Sequence, residues 1–284
     1  MRYSCLPAAV AFAVGVGIMS AGFAGADPAP PGDHAYGLDV QNARQAEARG
    51  DTSSGDALPV RVGAETPPPT YSLRNYALAP GNQGRVGSCV TWATGYSGYG
   101  ILMNEQNIGG GPMAPMFIYS QIARGNDRGT WASVALPMEQ RQGIDTKSDY
   151  WQGSFDYTTQ PTDEERANAA HFKLSGNKDL TRGDRITNIE KAIASGLPVP
   201  IGFEVRESFE GLNKNNSFYN PSPGERTLGG HEVTIVGYGS DGVTIENSWG
   251  SGWGDDGFFT APWSFITGND VVEVHSMGRL VTEE

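Results

Sequence analysis

The chain has 284 residues but only two cysteines, and one of them, Cys5, lies in an N-terminal stretch expected to be removed. No intramolecular disulfide can then form, so the fold must rest on its core. Basic residues are also few: 20 Lys and Arg stand against 32 Asp and Glu, a formal net charge of −12. That deficit argues against nucleic acid and anionic membrane surfaces as partners. A long hydrophobic run is lacking too, since the apolar stretch 8–19 is too short and too glycine-rich to span a bilayer. Neither an internal repeat nor a heptad pattern is visible. What the chain does have is 38% apolar residues and 39 glycines, the composition of a loop-rich globular protein. Its length suits one large domain or two lobes with a well-buried core.

Residues 1–26 read as a secretory signal: Arg2 supplies the charge, 8–19 the apolar core, and Ala24-Gly25-Ala26 the cleavage site. The protein is therefore expected to be exported, periplasmic or secreted, with no membrane attachment once the signal is gone. A lone thiol in an oxidising compartment is either buried and inert or functional. Residues 27–69 carry seven acids against three bases and many prolines, and read as a short propeptide or linker. Within them only 40–49 could form a short helix, and it has no apolar face.

From Tyr71 onward the pattern is globular, which places a folded domain at 70–284. Periodicity predicts helices over 88–103, 115–124, 131–142 and 184–194, with Pro137 expected to kink or divide the third. Strands are predicted at 198–205, 232–238, 243–247, 257–261 and 271–275, and the polar stretch 156–184 is read as loop with room for short strands. A helical first half followed by a β second half implies two lobes with a cleft between them.

The remaining cysteine, Cys89, sits in GNQGRVGSCVTWATGYSG (81–98), where a turn-rich loop delivers it to the start of a helix. A helix N-terminus favours thiolate over thiol. Six residues earlier, the Gln83 amide can donate a hydrogen bond. In LGGHEVTIVGYGSDGVTIENSWGSGWGDDGFF (228–259), His231 opens one predicted strand and Asn247 ends the next, 16 residues on. An amide beside a histidine holds one tautomer and one orientation, as a general base requires. Trp249 could shield that contact from water. His34, His171 and His275 match no pattern and are read as surface or packing residues.

NQGRVGSC, GGHEVTIVGYG and NSWGSGWGDDGFF, in that order, resemble the papain-like cysteine peptidases, and the bacterial, xylellain-like branch among them. The resemblance covers about 70–265, and the 142 positions from Cys89 to His231 fit the spacing of such a pair. It implies an α+β, two-lobe papain-like fold: a helical N-terminal lobe, a β-sheet, barrel-like C-terminal lobe, and the active-site cleft between. It also implies peptide-bond hydrolysis through a thioester. Cys89 is the nucleophile, His231 the base and then acid, Asn247 the orienting residue, and Gln83 with the Cys89 N–H the oxyanion donors. No metal or organic cofactor is called for, and the expected partner is a peptide or protein substrate. Gly129, Gly230, Glu232 and Trp249 are the substrate-binding candidates.

The chain departs from the family pattern at several points. Val86 stands where many members have a half-cystine, and Val90 replaces an aromatic residue after the nucleophile. Of a Gly-Gly pair that binds substrate backbone, 127–130 keeps only Gly129. Glu232 replaces a small residue, which predicts either a pocket for a basic side chain or an internally paired acid. The leader is too short for a long helical prodomain; it is expected to lie across the cleft and inhibit the enzyme, a disordered tether being the alternative. A transpeptidase or amidase using the same acyl-enzyme, or a non-catalytic peptide-binding relative, would share these motifs.

Overall fold

The computed structural model describes residues 34–50, 54–55 and 66–281. The expected signal 1–26 lies outside them. The N-terminal segment His34–Gly50, called the leader below, packs against the body. Its helix α1 (Val40–Arg49) is capped by Asp39, whose carboxylate accepts the Asn42 N–H at 3.0 Å, and it stops at Gly50 in the left-handed region. As the sequence predicts, α1 has no apolar stripe; it buries Ala43, Ala46 and Glu47. Two short strands follow, β1 (Ser54–Gly55) and β2 (Tyr71–Ser72).

The helical lobe begins with α2 (Cys89–Trp92), which passes through a π-helical stretch, Ala93–Gly98, into α3 (Tyr99–Gln106). Together they form the single helical run that periodicity predicts. Next come α4 (Pro115–Ala123), with Pro115 in its first turn, and α5 (Ala132–Gln142). Pro137 lies inside α5 without dividing it. The stretch read as loop with short strands holds two such strands, β3 (Lys173–Leu174) and β4 (Gly176–Asp179), and also a helix the reading lacked, α6 (Asp163–Ala169). A capping box starts α6: Thr162 Oγ1 accepts the Glu165 N–H, and the Glu165 carboxylate accepts the Thr162 N–H.

The second half supplies α7 (Arg185–Ala194), β5 (Val199–Arg206), β6 (Thr227–Gly239), β7 (Gly242–Glu246) and β8 (Phe258–Pro262). It closes with α8 (Trp263–Ile266), β9 (Val271–Met277) and β10 (Leu280–Val281). Eight strands make one antiparallel sheet in the order β1-β4-β9-β5-β6-β7-β8, with β2 added beside β6. β5 is the near-continuous apolar run of a strand covered on both faces, and its first five residues are buried. β6 begins at Thr227, earlier than the pattern suggests, so His231 lies inside the strand opposite Phe203. The early start was hidden because Gly229 and Gly230 contribute nothing to an apolar alternation. This is the α+β two-lobe architecture expected of the papain-like fold, with α2 packed against β6 where the lobes meet. Among the described residues no helix is long and apolar enough to cross a membrane.

Candidate active site

Cys89 is the first residue of α2 and is completely buried. Its sulfur faces the backbone N–H groups of Glu232, Gly37 and Val90. Burial pushes the thiol up to about 12, and those three N–H donors only partly oppose it. The helix start alone predicts the opposite shift; here the desolvation outweighs it.

His231 and Asn247 come together as the strand pairing dictates. His231 Nε2 lies 2.8 Å from Asn247 Oδ1, and the Ser248 N–H donates to the same oxygen at 2.8 Å. Asn247 Oδ1 is thus an acceptor, His231 donates from Nε2, and Nδ1 is the ring atom left with a lone pair. That Nδ1 is buried and has no hydrogen-bond partner. The ring lies among Phe203, Phe209 and Trp249, with centroids 6.3, 5.9 and 5.0 Å away. Burial lowers the imidazole to about 4; the Asn247 contact opposes this, and His34 adds a smaller lowering. Burial thus disfavours the charged form of both groups in this state.

The leader lies against both groups. Residues His34–Asp39 run through the cleft as an extended strap. The Gln83 amide donates to the Ala35 carbonyl at 3.1 Å, and the Ala35 N–H reaches the Gly84 carbonyl at 3.3 Å. The Thr130 N–H donates to the Gly37 carbonyl at 2.9 Å, and the Asp39 N–H to the Thr130 carbonyl at 2.9 Å. The Leu38 N–H donates to the Gly230 carbonyl at 3.0 Å. His34 stacks on Trp249 with centroids 4.4 Å apart, and the Tyr36 ring meets the His231 ring edge-on at 5.9 Å. The Tyr36 hydroxyl donates to Glu210.

Close backbone approach explains three glycines. A Cβ on Gly37 would lie 2.0 Å from the Gly87 carbonyl oxygen, and one on Gly230 would lie 2.5 Å from the Leu38 oxygen. Gly129 has φ 77° and would place a Cβ 2.1 Å from the Gly37 oxygen. Thr130 bonds the strap through its main chain, for which its side chain is not needed.

Gln83 is held from the Asn247 side as well: its Oε1 accepts the Ser248 hydroxyl at 2.6 Å and its N–H reaches the Ser248 carbonyl at 2.9 Å. Trp249 is buried between the two histidines. Glu232 is also fully buried, with its carboxyl against Glu273. Burial, and then the charge of Glu273, raise it well above the usual carboxylate range. Its Oε2 and the Leu38 Cδ2 converge over Gly202, within 3.3 and 2.9 Å of the point where a Cβ would stand.

The structure thus brings Cys89, His231, Asn247, Gln83, Gly129, Gly230, Glu232 and Trp249 to one cleft. Sequence reasoning missed Thr130, His34, Tyr36, Leu38 and the buried His275. The one available signal in the leader was Tyr36-Gly37-Leu38, two large residues around a glycine in an otherwise polar stretch.

Comparison with known proteins agrees with the fold. The structure of xylellain, a cysteine protease from Xylella fastidiosa, matches with a TM-score of 0.65 at 22% identity, covering 80% of this chain and 95% of that one. Digestive procathepsin L 3 of the Tenebrio molitor larval midgut matches with a TM-score of 0.60 at 19% identity, covering 84% and 88%. Among curated sequences, an uncharacterized peptidase C1-like protein of Acanthamoeba polyphaga mimivirus is 28% identical over 67% of this chain and 66% of its own. Cysteine proteinase 3 of Entamoeba histolytica is 27% identical over 70% and 64%. The chain thus spans just under two thirds of the length of these two relatives. The family model described as papain family cysteine protease matches residues 77–265. That match takes in more than half of the residues, so the chain belongs to the papain family of cysteine proteases.

Proposed function

We propose that the protein is an exported cysteine endopeptidase made in a latent form, with the leader within 27–69 as its propeptide and 70–284 as the peptidase. The single observation that carries this reading is the His231 Nε2–Asn247 Oδ1 contact of 2.8 Å, in a cleft where the leader engages both the Gln83 amide and the Cys89 sulfur. Once the leader leaves, water and the start of α2 stabilise the thiolate, and His231 Nδ1 takes the thiol proton. The sulfur attacks the substrate carbonyl. The oxyanion is held by the Gln83 amide vacated by Ala35 and by the Cys89 N–H, donors worth on the order of 3 kcal/mol each. The His231 imidazolium then protonates the leaving amine, and water hydrolyses the thioester. Asn247 keeps the ring in register throughout. Thr130 and Gly230 would bind substrate backbone as they bind the strap, and the pocket filled by Leu38 supports an aliphatic preference.

The test is labelling by an epoxide thiol probe between pH 4 and 9, with internal cleavage of a peptide as the second readout, on protein freed of its leader. Labelling that persists well below pH ~8.5, the pKa of a free thiol, is expected, and is lost in Cys89→Ala and His231→Ala. Asn247→Ala should slow cleavage at least about tenfold while the thiol remains. A rate that merely follows an ordinary thiol, indifferent to His231, overturns the reading.

A further inference from the structure

On the side of the sheet facing α1, β9 presents Glu273 and His275, and α1 lowers Glu47 onto them. His275 Nε2 is 3.6 Å from Glu47 Oε1 and 3.6 Å from Glu273 Oε2. One ligand atom from each residue falls within 4.8 Å of the other two. All three side chains are more than nine-tenths buried. Both Glu47 oxygens, Glu273 Oε2 and both His275 nitrogens have no hydrogen-bond partner. Buried polar atoms are nearly always paired, and a separation of 3.6 Å is too long for a hydrogen bond. Three of these atoms, His275 Nε2, Glu47 Oε1 and Glu273 Oε2, converge, one from each residue, and call for something between them.

The geometry points to a divalent cation of the zinc class, held by Glu47, Glu273 and His275. With bonds of about 2.1 Å, the ligands of a tetrahedral Zn²⁺ stand roughly 3.4 Å apart, close to the 3.6 Å edges here. Two carboxylates and a neutral imidazole sum to −2, which a divalent ion cancels; an imidazolium would leave one buried negative charge unmatched. A nitrogen among the ligands favours Zn²⁺ over Ca²⁺ or Mg²⁺, which take oxygen shells. The other Glu273 oxygen accepts the Ala132 N–H at 3.0 Å and so fixes the direction of that carboxylate.

The three ligands come from two parts of the chain. Glu273 and His275 belong to the sheet, and Glu47 belongs to the leader. α1 is pinned separately, by Arg44 on Glu204 at 2.7 Å and by Arg182 on the Glu47 carbonyl, so Glu47 is delivered to the site with little freedom left. The site is complete only with the leader seated, and by mass action an ion bound there stabilises the seated state. Ion binding stands independently of the peptidase reading; an effect on latency rests on it.

The experiment uses the full chain carrying Cys89→Ala, so that neither the thiol nor self-processing interferes. After chelation, Zn²⁺ uptake is followed by equilibrium dialysis with elemental analysis, and thermal unfolding is recorded with and without the ion. One Zn²⁺ per chain is expected, with a rise in Tm that Ca²⁺ does not reproduce. In Glu47→Gln, which leaves the sheet intact, and in His275→Asn, uptake should weaken at least about tenfold and the Tm rise should vanish. Absence of saturable uptake, or equal uptake by Glu47→Gln and the parent chain, overturns the proposal. If His275→Asn fails to fold, Glu47→Gln decides alone. A metal result of either sign leaves the thiol-labelling test of the peptidase reading unaffected.

Discussion

The leader holds the body in two different ways along its length. From His34 to Asp39 the contacts are main-chain hydrogen bonds, stacked rings and one apolar side chain. Along α1 they are charged side chains reaching charged or carbonyl partners, with Ala43, Ala46 and the half-buried Val40 as apolar filler. A strap bonded through its backbone tolerates most side chains but demands room, whereas a helix docked through charges tolerates bulk but demands particular residues. The strap accordingly covers Cys89 and His231, and the helix fixes where the strap ends.

The comparison breaks most completely if the leader is removed. A chain starting at Thr70 should label at Cys89 at least about a hundredfold faster, because the thiol goes from fully buried to open. Equal rates would mean the strap does not occlude. Gly37→Val attacks the strap alone by driving side-chain carbon into the Gly87 carbonyl. It should raise labelling on the order of tenfold or more without lowering the Tm of the body. Leu38→Ala leaves the backbone bonds in place and removes buried apolar area, so release should ease by about tenfold.

A pH series separates leader release from unfolding. Burial raises Glu139 and Glu246 to about 8, against the donors Thr94 and Ser97. Both acids hold a proton in the folded state at neutral pH that the unfolded chain gives up near 4.5. The folded state binds more protons in that window, so stability should fall as pH rises from about 4.5 to about 8 and then level off. Glu139→Gln or Glu246→Gln should each flatten the fall of stability with pH, by on the order of 1 kcal/mol per pH unit across that window. A slope unchanged in both would show the acids ionised in the fold. Smallest of all is Arg44→Ala: its partner pair is partly exposed, so less than about 1 kcal/mol and under a fivefold change in labelling is expected. A large effect would make α1, and not the strap, the dominant hold.

The legibility of the molecule follows the same division. Cys89 at a helix start, and His231 on β6 with Asn247 just past the end of the paired β7, were readable because local pattern and long-range pairing agree there. The seat of α1 was not, since a helix that buries two alanines and a glutamate shows no apolar stripe. His275 looked like a packing residue because its partners lie 2 residues away on its own strand and on a helix 228 positions earlier. Thr130 was passed over because its contribution is main-chain, to which side-chain identity is blind. The capping box at Thr162 and Glu165 was visible in the sequence, but the polar residues around it obscured α6.

The π-helical stretch Ala93–Gly98 behind Cys89 sets an angular constraint. A π-turn is in effect one residue more than an α-turn needs, and each residue turns a helix by about 100°. Thr94 reaches Glu139 of α5, Ser97 reaches Glu246 at the end of β7, and the Ala93 carbonyl takes the Thr234 hydroxyl of β6 at 2.8 Å. Loss of a single residue from this stretch would swing Tyr99–Gln106 round by that angle while Cys89 stayed where it is. The extra residue in the π-turn thus sets the phase between the Cys89 end of the helix and its far end.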